Sequence, residues 1–187
     1  MKKPIMGIQL FTLRDYIQTA EDFDKTLARL ADMGVTDVQI SAIGDIPAET
    51  QRDILNKYNM KVCVTHKSID RMTDDLDNLI AEHKTIGCNA IGLGAAPVDA
   101  RWSTKCVKDF ISKTGEIAKK MKEQGCEFHY HNHAFEFNRL DDANYSMMDM
   151  LIDDTDKDLF HFIPDVAWIH YGQKDPVDII KRMSDSG

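Results

Sequence analysis

Phe128-His129-Tyr130-His131-Asn132-His133-Ala134-Phe135-Glu136-Phe137 is the stretch on which the fold turns. It follows Gly125, which closes a long helical pattern, and it opens with the alternation of a strand, Glu127 to His131. Alternate side chains of a strand point to one face, so His129, His131 and His133 are expected to line one surface. Imidazoles placed together suit divalent transition metals and carry protons near neutral pH. The run also turns polar at its C-terminal end, and that feature recurs along the chain.

Working outward, the pattern is strand then helix, six times over. Met6 to Leu13 reads as a first strand, and Thr19 caps a helix from Ala20 to Met33 that Gly34 ends. Asp37 to Ala42 is the second strand, and Pro47 opens a helix to about Tyr58. Lys61 to His66 is a third, β-branched strand, followed by a helix from Thr73 to near Gly87. Ala90 to Gly94 is the fourth, with a long helix from about Ser103 to Gln124 after it. Beyond the fifth strand, a helix from Tyr145 or Ser146 to about Asp153 leads to a sixth strand, Leu159 to Pro164. Pro176 opens a last helix to about Met183, and the acidic run from Asp153 to Asp158 reads as a solvated connection.

Six βα units with short connections imply a parallel sheet. Units of about 30 residues suit an open doubly wound sheet or a closed (β/α)8 barrel. No GxGxxG follows the first strand and no GxxxxGK[ST] occurs, which removes the commonest reasons to prefer a nucleotide-binding open sheet. Thr12 and Arg14, His66 and Lys67, His131 to Glu136, and Asp165 to His170 all follow strand ends. In a barrel such positions meet at one rim, the face where active sites lie.

The 187 residues read as one domain, with 43% hydrophobic and 29% charged residues, ordinary for a globular protein. A net charge of −8 argues against broad contact with nucleic-acid phosphates. No apolar run is long enough to span a membrane, and Met1-Lys2-Lys3 is not followed by a clean leader-like core. Cys63, Cys88, Cys106 and Cys126 include no CxxC pair and read as reduced thiols in a cytoplasmic protein, with Cys63 and Cys126 in apolar strand runs.

Four segments together resemble the sugar phosphate isomerase/epimerase superfamily, the xylose isomerase-like TIM barrels. Gly7 to Asp15 resembles its first strand, Val64-Thr65-His66 its third, Tyr130 to Phe137 its fifth and Asp165-Val166-Ala167-Trp168 its sixth. The resemblance covers essentially the whole chain and implies a (β/α)8 barrel with about six units present. It implies a divalent metal at the barrel mouth, manganese foremost, with zinc, cobalt or iron as the other options. His131 would take the fifth-strand ligand position, commonly a glutamate, and Asp165 the sixth-strand one. The other two ligands, a histidine and a glutamate on the seventh and eighth strands, have no counterpart here. Six units do not close the barrel, so the sequence is expected to be truncated at its C-terminus, or else to open its sheet or borrow strands. Gln39 stands where relatives often carry glutamate.

The implied chemistry is removal of a proton next to a sugar carbonyl, with a metal steadying the charge that develops and a carboxylate or imidazole moving the proton. His131 and Glu136 are the catalytic candidates, and Glu136 either contacts substrate or braces His131. His66, His133, Trp168 and Phe11 are the substrate-binding candidates. Each has a plainer reading. His131 ends a strand, Asp165 suits a turn or helix cap, His66 also reads as structural, His133 as loop, and Trp168 and Phe11 as core. His129 reads as packing or as bracing, and His83, His161 and His170 as structural or surface residues. An isomerase or epimerase leads. An inosose-type dehydratase on the same site and a non-catalytic carbohydrate- or partner-binding remnant are the alternatives, and a DNA-repair endonuclease of this fold is disfavoured by the acidic charge. A small carbohydrate is the expected partner, and a homo-oligomer is an open option.

Overall fold

The first strand is far shorter than its hydrophobic run. The computed structural model describes residues 5–186, so the leader reading at Met1-Lys2-Lys3 lies outside the described residues. In it β1 is only Ile8–Gln9, and Leu10–Tyr16 winds into 3-10 helix. The Thr12 hydroxyl donates to the Gln9 carbonyl at 2.6 Å, a local bond that competes with the sheet ladder and draws the chain out of extended conformation.

Helix signals are met within a residue or two. α1 spans Ala20–Asp32, and Thr19 Oγ1 accepts from the Asp22 N–H. Gly34 follows at φ +82°, a conformation that favours glycine. β2 is Asp37–Ile40. Pro47 is the N-cap of α2, Ala48–Lys57, rather than its first residue. β3 is Lys61–Lys67. The helix expected from Thr73 is instead two: α3, Ile69–Asp74, contains Thr73, and α4, Leu76–Ile86, starts after Asp75 leaves helical geometry. Ser68 Oγ accepts the Arg71 N–H at 3.2 Å, which starts α3 earlier than the apolar spacing suggested.

β4 is Ala90–Leu93, and α5 spans Thr104–Glu123 behind a Ser103 cap. β5 is Glu127–His131, as its alternation requires. α6, Met147–Asp154, begins with a reciprocal capping box between Ser146 and Asp149. β6 is Phe160–Ile163. A helix not anticipated from the sequence, α7 at Val166–Tyr171, follows it directly, and α8 spans Pro176–Ser186.

Strand order is sequential, β1 to β6, and the pairings are parallel. The chain divides into two compact units. The first holds the residues up to Lys67 and Asp75–Ile91, and the second Ser68–Asp74 and everything from Gly92, so β4 runs across the division. In the first unit Leu10, Phe23, Leu27, Val38, Ile40 and Leu55 form a buried core. In the second, Phe137, Met148, Ile152, Ile169, Ile179 and Met183 form another.

All four cysteines are free thiols. Cys126, just before β5, is buried, but Cys63 is exposed, because it falls on the opposite face of β3 from the buried Val62. Among the described residues no helix is long and apolar enough to cross a membrane.

Candidate active site

β5 sorts its side chains by parity. Phe128 and Tyr130 are fully buried, and the Tyr130 ring meets Phe110 of α5 edge-on at 5.9 Å. His129 and His131 therefore take the other face. They do not act alike. His129 Nε2 lies 3.2 Å from Glu127 Oε2, and its ring sits 5.2 Å from His161, its partner in the β5–β6 register. His129 is thus tied to the start of the strand, with His161 beside it.

His131 ends the strand with only 5% of its surface exposed. Its Nε2 faces Asp165 Oδ2 at 3.9 Å, too long for a hydrogen bond but near enough for two ligands of one small cation. Burial, helped by neighbouring His133, pushes the His131 pKa down to about 4 against the opposing pull of Asp165. The ring is therefore neutral at pH 7 and carries a lone pair.

The strand ends at His131, so alternation cannot deliver His133 to the same face. A turn does so instead. The His133 ring stands perpendicular to that of His131 at 4.9 Å, and burial with nearby Arg101 lowers its pKa. His133 Nδ1 is buried and has no hydrogen-bond partner among the described residues.

Asp165 holds both of its expected roles in one side chain. Oδ1 caps α7, accepting from the Ala167 and Trp168 N–H groups at 3.0 Å each, which leaves Oδ2 to face His131. Trp168 follows on that short helix, 37% exposed, with its ring 5.1 Å from His133 and 5.8 Å from Tyr171. It is not core. On the far side of His133, Phe135 stacks at 5.7 Å, and the Arg101 guanidinium covers Phe135 at 3.5 Å.

Glu136 lies behind this surface, fully buried. It accepts from Tyr130 Oη at 2.6 Å and from the His133 N–H at 2.9 Å, so its grip is on the turn rather than on the His131 ring. Burial raises its pKa to about 6 despite those bonds. Tyr130 Oη in turn accepts from the Ala96 N–H at 3.2 Å.

The first unit holds the other candidates. His66 Nε2 lies 2.6 Å from Gln39 Nε2 and its Nδ1 3.3 Å from Ser41 Oγ. The amide nitrogen is a donor only, so His66 accepts at Nε2 and carries its proton on Nδ1. Gln39 is thus the partner of His66. Phe11 is exposed in the 3-10 segment, with the Arg14 guanidinium 4.8 Å from its ring centre. His83 is structural: buried, with Nδ1 donating to the Leu79 carbonyl and Nε2 accepting from Thr65 Oγ1, both at 2.7 Å.

Two residues escaped sequence reasoning. Asn132 is 1% exposed and bonds to Asp165, and Tyr130 carries the Glu136 bond from the buried side of the strand. The only signal for either was its place inside the histidine-rich run.

As a metal site the donor chemistry fits in kind but is sparse. A neutral imidazole and a carboxylate suit manganese, zinc, cobalt or iron. Among the described residues no group of three or more His, Cys, Asp or Glu is placed to hold an ion, and His131 with Asp165 makes a group of two.

No protein-family model and no curated protein sequence matches the chain. Solved structures do. A sugar phosphate isomerase/epimerase from Parabacteroides distasonis is similar at TM-score 0.82 and 20% identity, over 100% of this chain and 73% of the other. A probable 3-DHS dehydratase involved in petrobactin synthesis from Bacillus anthracis is similar at 0.73 and 11% identity, over 97% and 70%. A xylose isomerase-like TIM barrel protein from Mycobacterium smegmatis, in complex with magnesium, is similar at 0.67 and 12%, over 100% and 73%. The chain thus has the α/β fold of the sugar phosphate isomerase/epimerase and xylose isomerase-like TIM-barrel proteins.

Proposed function

We propose that the chain belongs to a sugar or sugar-phosphate isomerase or epimerase that moves a proton on a carbon next to a carbonyl. One observation carries the reading: a buried neutral imidazole, His131, faces the Asp165 carboxylate at 3.9 Å beside exposed Trp168. His131 and Asp165 would hold a divalent ion, manganese foremost, with zinc, cobalt or iron as the other options. Such an ion supplies Lewis-acid polarisation of the substrate's carbonyl oxygen.

The protein's own groups do the rest. With His131 committed as a ligand, His133 is the imidazole left to take the proton, its basic form favoured by burial and by Arg101. The C–H electron pair becomes a C=C bond as the carbonyl π pair moves onto its oxygen. For isomerisation the proton returns to the former carbonyl carbon while the hydroxyl proton shifts to the former carbonyl oxygen and a new C=O forms. For epimerisation the C=O re-forms as a solvent-derived proton adds to the opposite face of the original carbon. Trp168 offers an apolar ring to the C–H face of a sugar. Glu136 acts from behind, holding the His133 main chain. His66 and Phe11 remain substrate-contact proposals on the strength of the resemblance. The working setting is cytoplasmic, with a small carbohydrate as the partner.

Likeness to a probable dehydratase supports a second reading, loss of water β to the carbonyl after the same proton removal. Incubating the chain with Mn²⁺ and a panel of ketoses and inososes in D₂O, followed by NMR, separates the two. Deuterium entering next to the carbonyl with the carbon skeleton intact supports isomerase or epimerase, and an unsaturated product supports the dehydratase. Absence of deuterium from every substrate would sink both and favour a carbohydrate-binding role.

A further inference from the structure

We infer that Asn132 is a positioning residue that sets the distance between His131 and Asp165 by replacing a missing rung of the sheet with its own side chain. The inference rests on the proposed metal-dependent reading only in what that distance is for. The hydrogen-bonded contact itself is independent of that reading.

The β5–β6 ladder ends at the pair His131–Ile163. One residue further, the ladder meets Pro164, which has no N–H to give. β5 also leaves the sheet here, since Asn132 and His133 lie outside its span. Two chain ends that part at this point would leave Asp165 unsupported relative to His131. Asp165 itself keeps extended backbone, φ −90° and ψ 103°, as the N-cap of α7, and its carbonyl accepts from the Ile169 N–H at 3.0 Å.

Its partner is an amide side chain. Asn132 Oδ1 accepts from the Asp165 N–H at 2.8 Å, and Asn132 Nδ2 donates toward the Asp165 carbonyl at 3.4 Å. One primary amide, which has both a donor and an acceptor, thereby serves both main-chain groups of one residue, as a neighbouring strand would. The same Nδ2 reaches back to the His133 carbonyl at 3.4 Å, tying the clamp into the turn that presents His133. Asn132 is 1% exposed, so water does not compete for these bonds.

The side chain of Asp165 is fixed separately by its cap on α7, through Oδ1. Main chain and side chain are thus held by different partners, with Oδ2 left facing His131 Nε2 at 3.9 Å. Partners of this kind, outside the ligands but orienting them, typically change metal affinity by about 10–100-fold when removed.

The test uses the whole chain, metal-free and with Mn²⁺. In the metal-free protein, amide hydrogen exchange by NMR should show a slow Asp165 N–H in the wild type. Asn132→Ala should speed exchange at Asp165 by about tenfold or more while leaving Ile163 unchanged. Mn²⁺ titration followed by electron paramagnetic resonance should show the variant binding about 10–100-fold more weakly. Unchanged exchange at Asp165, or unchanged Mn²⁺ affinity beside a binding wild type, overturns the inference. Should the wild type bind no Mn²⁺ while exchange still responds, the metal reading of function fails and the clamp stands. Asn132→Asp guards against an alanine variant that does not fold. It keeps the acceptor, so Asp165 exchange should stay within about threefold of wild type, and fast exchange there would count against the clamp.

Discussion

His83 and His131 are nearly equally buried, at 1% and 5% exposure, and they do opposite things. In the first unit His83 has both ring nitrogens bonded at 2.7 Å, one to a main-chain carbonyl and one to the buried Thr65 hydroxyl. In the second unit His131 faces a carboxylate at 3.9 Å, and its neighbour His133 keeps a buried Nδ1 without a hydrogen-bond partner among the described residues. Fully satisfied polar groups hold a fold together, whereas on the proposed reading the spacing of His131 and Asp165 serves a shared ligand. Burial alone does not separate the two kinds of histidine. Bond geometry does.

The comparison breaks first, and by the largest margin, through function. Asp165→Asn keeps a cap oxygen for α7 and leaves the main-chain bonds to Asn132 in place, removing only the charge. It and His131→Ala should each lower deuterium exchange into the substrate by about 10³-fold, roughly 4 kcal/mol of transition-state stabilisation. His83→Ala, assayed where it is still folded, should stay within about threefold of wild type by the same conversion. If His83→Ala lost as much as His131→Ala, the distinction would be wrong.

Stability should run the other way. His83→Ala empties a buried site and strands Thr65 Oγ1, at a cost of about 3 kcal/mol. For a chain of this size the melting temperature should fall by about 6–12 °C. His131→Ala should cost less at pH 7 on the proposed reading, in which the ring is kept for a ligand rather than for the fold. A calorimetric scan of the two variants decides the order.

Buried titrating groups sharpen the contrast further. His131 has its folded pKa depressed to about 4 from 6.5, so the stability it supports is present above pH 6.5 and is lost as pH falls toward 4. Glu136 has its pKa raised to about 6 from 4.5, so its contribution is full below 4.5 and is lost as pH rises through 6. Between those values the two slopes oppose. Glu136→Gln removes the second, worth about 2 kcal/mol, so acid destabilisation below pH 6.5 should become steeper. Urea titrations at pH 7 and pH 5 measure it, and an unchanged difference between the two pH values counts against the buried-carboxyl reading.

Much of this was legible from spacing and caps. Thr19, Ser103 and Ser146 each start the helix their chemistry marks, and β5 has the boundaries its alternation demands. What failed had local causes. The run from Met6 to Leu13 looks like one strand, but the Thr12 hydroxyl bond to Gln9 breaks it after two residues. α7 was missed because six residues make less than two turns, too few to show a period. His131, Asp165 and Trp168 stand out as residues that follow strand ends, and the ligand roles of His131 and Asp165 come from the resemblance. Asn132 was passed over because its bonds reach a residue 33 positions away, and no spacing rule carries such a contact. For Glu136 the sequence offers substrate contact or a brace on His131, and the structure gives its carboxylate Tyr130 Oη and the His133 main chain, contacts that no spacing rule announces.

The smallest expected effect concerns the wall of the site. Trp168 is exposed, with its ring against those of His133 and Tyr171, so little of the fold depends on it. Trp168→Ala should leave the melting temperature within about 2–4 °C, the shift that about 1 kcal/mol produces at this size. Its effect should appear in the KM of whichever substrate exchanges deuterium, raised about tenfold with kcat within about threefold, because a flat apolar face binds ground state and transition state alike. Trp168→Phe should recover most of the loss, since it keeps a ring on the same short helix. A fall in kcat with KM unchanged would instead mean that Trp168 works through His133, 5.1 Å away, and that ring would then belong with the groups that position the chemistry rather than with those that greet the sugar.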